Sequence, residues 1–141
     1  MSVRTQPMTD ANVELVLEGL EAFLTGEFER ALEHAHGDLV THRAAPDPQT
    51  YRGHRGLLQA YADWTADFSD FEMSTEEVIG IGEKVMVEAH QRARGQSSGV
   101  PVEGRFWFVY TVRGSKVARL DIFITRGQAL DAVGVDDLLE H

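Results

Sequence analysis

The chain has no cysteine and only 4 prolines in 141 residues. The first absence removes disulfides, thiol nucleophiles and thiolate metal sites, and it fits a reducing compartment. Positive charge is also short: 13 Lys and Arg stand against 23 Asp and Glu, a net charge of −10. Such a surface repels phosphate backbones and anionic lipid, so neither nucleic acid nor a membrane is expected as a partner. No hydrophobic run approaches a membrane span, and the first nine residues lack the apolar core of a secretory leader. A soluble cytoplasmic protein is the expectation. What remains is 43% hydrophobic residues, enough for one well-filled domain without a staple.

The stretch Val102–Thr125 organises the chain. Phe106, Phe108, Tyr110 and Val112 recur at every second position, as do Ala118, Leu120, Ile122 and Ile124. A period of two puts each set on one face of a strand. Gly114-Ser115 supplies a tight turn, so the stretch reads as a β-hairpin. Its other face carries Arg105, Trp107, Arg119, Asp121 and Phe123.

Residues 1–9 are polar and aperiodic, and they predict a flexible segment. Thr9 or Asp10 opens a helix whose Val13, Val16, Leu17, Leu20 and Leu24 follow helical spacing to a break at Gly26. Glu27–Ala35 predicts a second helix, with Phe28, Ala31 and Leu32 inward and Gly37 as its stop. Asp38–Arg43 is a short strand, and Ala44–Arg52, with Pro46 and Pro48, a loop. Leu57, Tyr61, Trp64 and Phe68 give a third helix an aromatic face. Phe71–Ile81 and Lys84–Arg94 read as strands, and Arg126–Val133 as a closing helix before Gly134. Helices first and antiparallel strands after them imply an α+β class: one domain over 10–135, followed by an acidic tail at 136–141. The sheet is expected to curve into an open cone, with about three helices over its concave face.

This order resembles the nuclear transport factor 2-like superfamily, which includes ketosteroid isomerase, scytalone dehydratase and the SnoaL-like polyketide cyclases. Tyr51-Arg52-Gly53-His54-Arg55-Gly56, Ser98-Gly99-Val100-Pro101-Val102-Glu103, the Gly/Lys hairpin turn and Ala129-Leu130-Asp131-Ala132-Val133-Gly134 resemble the SnoaL-like branch. The resemblance implies a hydrophobic pocket inside the cone and a homodimer through the outer face of the sheet. It carries over little chemistry. Where ketosteroid isomerase has its carboxylate base, this chain has His42-Arg43. The isomerase's acid donor falls on Phe108, and its tyrosine donor falls near Gly19, so that oxyanion hole is absent. The SnoaL-like cyclases use an acid late in the last strand. The nearest here is Asp121, which strict alternation turns away from the pocket unless a bulge intervenes.

Two functions are therefore open. One is an enzyme acting on a hydrophobic small molecule by cofactor-independent proton transfer (an isomerase, cyclase, lyase or hydrolase). Its base would be His42, its donor Tyr110 or Tyr61, and Asp121 the substitute acid. The other is a non-catalytic ligand-binding or dimerisation module. Either would use a wall of Tyr61, Trp64, Phe106, Phe108, Leu120 and Ile122, which plain core packing would explain equally well. His34 and His36, two residues apart, suggest no metal site.

Overall fold

A computed structural model describes residues 2–5, 10–44 and 48–134. Its elements in chain order are β1 (Ser2–Thr5), α1 (Asp10–Leu24), α2 (Phe28–Glu33), β2 (Ala35–Arg43), β3 (Gln49–Arg52), α3 (Gly53–Thr65), β4 (Phe68–Ile81), β5 (Lys84–Gly95), β6 (Pro101–Arg113), β7 (Lys116–Phe123) and α4 (Arg126–Val133). The strands form one sheet in the order β1-β4-β5-β6-β7-β2-β3. It is mostly antiparallel; among the described residues parallel pairing joins β1 to β4 and β2 to β7.

The α+β reading holds, and the boundaries move for local reasons. Ser2–Thr5, expected to be flexible, pairs with Glu77–Gly80 as an edge strand. Gly37 does not stop α2 but lies inside β2, which bulges there between Ala35 and Val40. Gln49–Arg52, expected as loop, lies antiparallel to Val40–Arg43. Phe68 opens β4 rather than closing α3. Phe28 is an exposed residue, although its ring packs edge-on against Phe23 and Tyr61. The acidic tail and part of the Pro46 loop lie outside the described residues.

The β6–β7 hairpin turns on Gly114 and Ser115, both with positive φ (56° and 62°), as a tight type I′ turn requires. Next to it Thr111 pairs with Arg119 but Val112 with Val117, so Ala118 is the extra residue of a bulge. The bulge exchanges Ala118 for Val117 on the inner face. Ile124 lies past the strand end and is exposed.

Two apolar layers flank the sheet. On the concave side α1, α2 and α3 cover a core built on Val16, Leu39, Val78, Val87, Phe108 and Leu120. On the outer side α4 lies over Ile79, Met86, Trp107 and Val109 through Ala129 and Val133. The Thr125 hydroxyl accepts from Gln128 N–H and caps the start of α4, and Gly134 ends it with a φ of 90°. Arg126 pairs with Glu77 at 3.0 Å, and Lys84 Nζ donates to the Ala132 carbonyl at 3.1 Å. Trp107, expected on the outer face of the hairpin, is covered there by α4 and is 9% exposed. Its burial contributes about 1.5–3 kcal/mol.

Candidate functional site

Tyr51–Gly56 sets the position of α3. Gly53 takes a left-handed φ of 72° at the helix start. A Cβ on Gly56 would stand 2.9 Å from the Tyr51 carbonyl carbon, so only glycine lets the helix pack this closely on β3. His54 Nε2 lies 2.9 Å from the Ala35 carbonyl oxygen and ties the same turn to β2. Tyr51 donates to Asp63 at 2.7 Å, as does Gln59. These hydrogen bonds hold the Asp63 carboxyl below its ordinary range. With that edge fixed, Leu57, Ala60, Tyr61 and Trp64 turn toward the sheet.

They close a chamber of about 90 Å³. Leu20, Phe23 and Leu24 of α1 form one wall, and Phe71 and Met73 of β4 another. Phe108, Tyr110, Leu120, Ile122 and Thr41 of the sheet form the floor. Rings dominate it. Tyr61 packs against Phe23 at 5.4 Å and Phe71 at 6.4 Å, and Phe108 against Tyr110 at 6.4 Å. A smaller lobe of about 60 Å³ lies behind Leu20, Phe23, Leu57, Tyr110 and Leu120. His34 lines it, held between Glu18 at 3.1 Å and the Arg30 carbonyl at 3.0 Å.

Two hydroxyls belong to this floor. Thr41 is 1% exposed, and its Oγ1 has no hydrogen-bond partner. A buried hydroxyl left so is costly unless a ligand or water completes it. Burial alone pushes the Tyr110 phenol well above its ordinary range, so the group is a neutral donor at physiological pH.

Of the residues expected in the wall, Tyr61, Trp64, Phe108, Tyr110, Leu120 and Ile122 line the chamber. Phe106 does not. It stacks edge-on against Trp64 at 4.4 Å, at the chamber's margin. The expected base and acid are placed elsewhere. Thr41 faces inward, so His42, next in the strand, faces out, where Nδ1 lies 3.1 Å from Thr50 Oγ1. Asp121 is its register partner on β7 and is gripped by Arg119 Nε and Nη2 at 2.9–3.1 Å. The sheet thus separates both from the chamber, and no bulge turns Asp121 inward. Thr41 was not among the expected site residues: His42 was expected at the pocket, and the alternation along β2 puts Thr41 there instead. Among the described residues, no three His, Asp or Glu side chains stand where they could share a metal ion. No helix among them is long and apolar enough to cross a membrane.

The sequence matches the model of the SnoaL-like domain over residues 16–120. No curated protein matches it. Similar solved structures include TerC, crystallised with polyporic acid, at 18% identity and a TM-score of 0.72, covering 89% of this chain and 99% of that one. A candidate SnoaL-like polyketide cyclase from Jannaschia sp. CCS1 is 22% identical, with a TM-score of 0.72 and coverage of 91% and 94%. A nuclear transport factor 2-like protein from Burkholderia xenovorans LB400 is 26% identical, with a TM-score of 0.66 and coverage of 87% and 95%. Together with the cone, its chamber and the helix α3 set over it, the match across most of the length makes this chain a member of the SnoaL-like domain family.

Proposed function

We propose that the protein binds a compact, ring-sized apolar molecule carrying one oxygen, with the ring in the aromatic chamber and the oxygen at Thr41 and Tyr110. The observation that carries this reading is the unpartnered Thr41 hydroxyl on an otherwise apolar floor. Ligand pockets combine apolar walls with a few polar groups that fix orientation. TerC, of the same fold, was crystallised with polyporic acid, which supports a ligand in this cone. An enzyme working by proton transfer would need a base on the wall. The described residues lining the main chamber include neither carboxylate nor imidazole, and His34 in the smaller lobe is held by Glu18 and the Arg30 carbonyl, which weighs toward binding over catalysis. The acidic surface and the absence of cysteine support a cytoplasmic setting.

The test compares 4-ethylphenol with ethylbenzene by NMR titration of the full chain. Both shift resonances of Tyr110, Leu120 and Ile122. Thr41→Val weakens 4-ethylphenol about five- to tenfold, in line with one lost hydrogen bond, and leaves ethylbenzene unchanged. Absence of binding by either compound, or shifts confined to the outer face, overturns the reading.

The protein is further proposed to pair with a second copy through the outer face beyond α4. There Arg105 is exposed near one end of the hairpin and the Arg119–Asp121 pair lies further toward its turn, charges suited to an isologous rim.

A further inference from the structure

The chamber opens at one end. Leu24, Tyr61, Phe71 and Met73 line it and also line a second, wider hollow of about 560 Å³ on the β4 side. These four form a gate between the two. Beyond the gate the walls change character. Glu72, Ser74, Glu76, His90 and Arg92 replace the rings.

Bulges in β4 make this possible. The ladder to β5 is interrupted between Ser69 and Glu72 and again between Thr75 and Glu77. β1 pairs with Glu77–Gly80, and among the described residues no strand pairs with the outer edge of β4 from Phe68 to Glu76. Chamber and vestibule meet around that edge.

The vestibule is acidic. Glu72 and Glu76 are exposed on its wall. His90 is buried, with Nε2 hydrogen-bonded to Glu103 and Nδ1 3.7 Å from Glu76. Arg92 stands opposite Glu103 in register, with Nε 3.8 Å from that carboxylate. The wall thus holds two carboxylates, one guanidinium and one imidazole, and Glu103 behind it pairs with both of the latter, within a chain of net charge −10. This field repels anions and draws cations. An acidic wall alone would say nothing of a ligand. Here it adjoins a chamber whose floor holds a buried hydroxyl without a partner.

Resting on the binding reading above, we propose that the ligand is amphiphilic: its ring sits in the chamber, and a protonated amine arm crosses the gate to Glu72 and Glu76. The gate suits such an arm. Tyr61 and Phe71 supply aromatic rings beside a passing ammonium group, and Leu24 and Met73 supply contact to its methylenes. The small chamber agrees with this. A dry cavity of about 150 Å³ holds benzene, so a ring in a chamber of about 90 Å³ leaves its outer edge in the gate, with any substituent there directed into the vestibule.

Three phenols that differ only in the para arm test it on the full chain: 4-ethylphenol, tyramine and 4-hydroxyphenylacetate, titrated at low ionic strength. Tyramine binds about fivefold tighter than 4-ethylphenol, the scale of exposed ion pairs, and 4-hydroxyphenylacetate binds more weakly than either. The preference disappears near 1 M salt, where screening reaches about 3 Å. In the double variant Glu72→Gln, Glu76→Gln tyramine falls level with 4-ethylphenol, whose own affinity does not change. Equal binding of tyramine and 4-ethylphenol to the wild type overturns the amine arm and leaves the chamber reading standing. A preference for tyramine that persists in the double variant overturns the assignment to these carboxylates. Failure of 4-ethylphenol to bind removes the chamber reading and this inference with it.

Discussion

The indole N–H of Trp64 donates to the side-chain oxygen of Gln91, across the space between α3 and β5. No residue of α3 is fully buried, and this bond adds to the packing of Leu57 and Trp64 against the core in holding the helix to the sheet. Gln91 is itself 3% exposed. Trp64→Phe keeps a ring against Phe106 but strands that amide oxygen. The expected loss is about 1–3 kcal/mol in urea unfolding. A second change, Gln91→Met, recovers part of it, because it removes the orphaned group. A double variant no more stable than Trp64→Phe would show that the hydrogen bond is not the cause.

Phe108 is at the centre of the floor, 7% exposed and packed on Tyr110. Phe108→Asp buries a charge with no partner and leaves a void where the ring stood. The expected cost exceeds about 3 kcal/mol, enough to leave much of the chain unfolded at ambient temperature. A melting curve like that of the wild type would mean that the residue does not face the core.

Thr41 and His42 should respond oppositely to substitution. Thr41→Val removes an unsatisfied hydroxyl at nearly constant volume, so the free protein becomes more stable by about 1 kcal/mol or stays level. Its binding of 4-ethylphenol weakens nonetheless. His42→Ala, on the far side of the sheet, leaves that binding unchanged. If His42→Ala abolished binding while Thr41→Val did not, the assignment of faces in β2 would be reversed.

The Tyr51–Asp63 link has a defined pH window. The Asp63 pKa is lowered by its hydrogen bonds from Tyr51 and Gln59, so its contribution is present above the unfolded carboxyl value of about 3.9 and is lost as pH falls through the folded value. The Tyr51 pKa is raised, by burial first and by Asp63 second. Its share is complete below about pH 10 and is lost as pH rises through the folded value. Carboxyl NMR titration checks the acid limb: Tyr51→Phe moves the Asp63 midpoint up toward 3.9. An unmoved midpoint would remove Tyr51 as a cause.

Trp107 bears on assembly through folding. It lies under α4, and its N–H donates to Glu88 at 3.2 Å. Trp107→Asp is therefore expected to unfold the protein rather than to separate subunits, by about 3 kcal/mol or more. Exposed Arg105 is the appropriate probe of pairing. Sedimentation of the wild type at low micromolar concentration is expected to give about 31 kDa, twice the 15.7 kDa chain. Arg105→Glu shifts it toward monomer without lowering the melting temperature. A monomeric wild type would end the proposal.

Much of this architecture was legible in the sequence because period-two alternation survives burial on both faces. Phe108, Tyr110, Leu120 and Ile122 went to the chamber side for that reason. The rule failed where the backbone broke it. The bulge at Ala118 put Val117 inside, and the bulges of β4 opened the vestibule, which no residue pattern announced. Gln49–Arg52 escaped notice as a strand because four mostly exposed residues beside prolines carry no alternation. The cover over Trp107 was visible as a helix over Arg126–Val133, but not where that helix would dock. Contacts distant in sequence decide docking, and local pattern is silent on them. The site followed the same division: its apolar wall was predictable, whereas the inward Thr41 became clear only once the sheet had assigned each side chain a face.

The parallel register of β2 with β7 sets a timetable for synthesis. Thr41 pairs with Leu120, 79 positions later in the chain. At about 5–20 residues per second, β2 waits about 4–16 s on the ribosome for the strand that covers its long edge. Throughout that interval β3 can shield only one side of it. The chamber floor, which needs Thr41, Tyr110 and Leu120 together, cannot exist until β7 has been synthesised. A nascent chain stalled anywhere before β7 would present an open strand edge, and such edges recruit chaperones or one another.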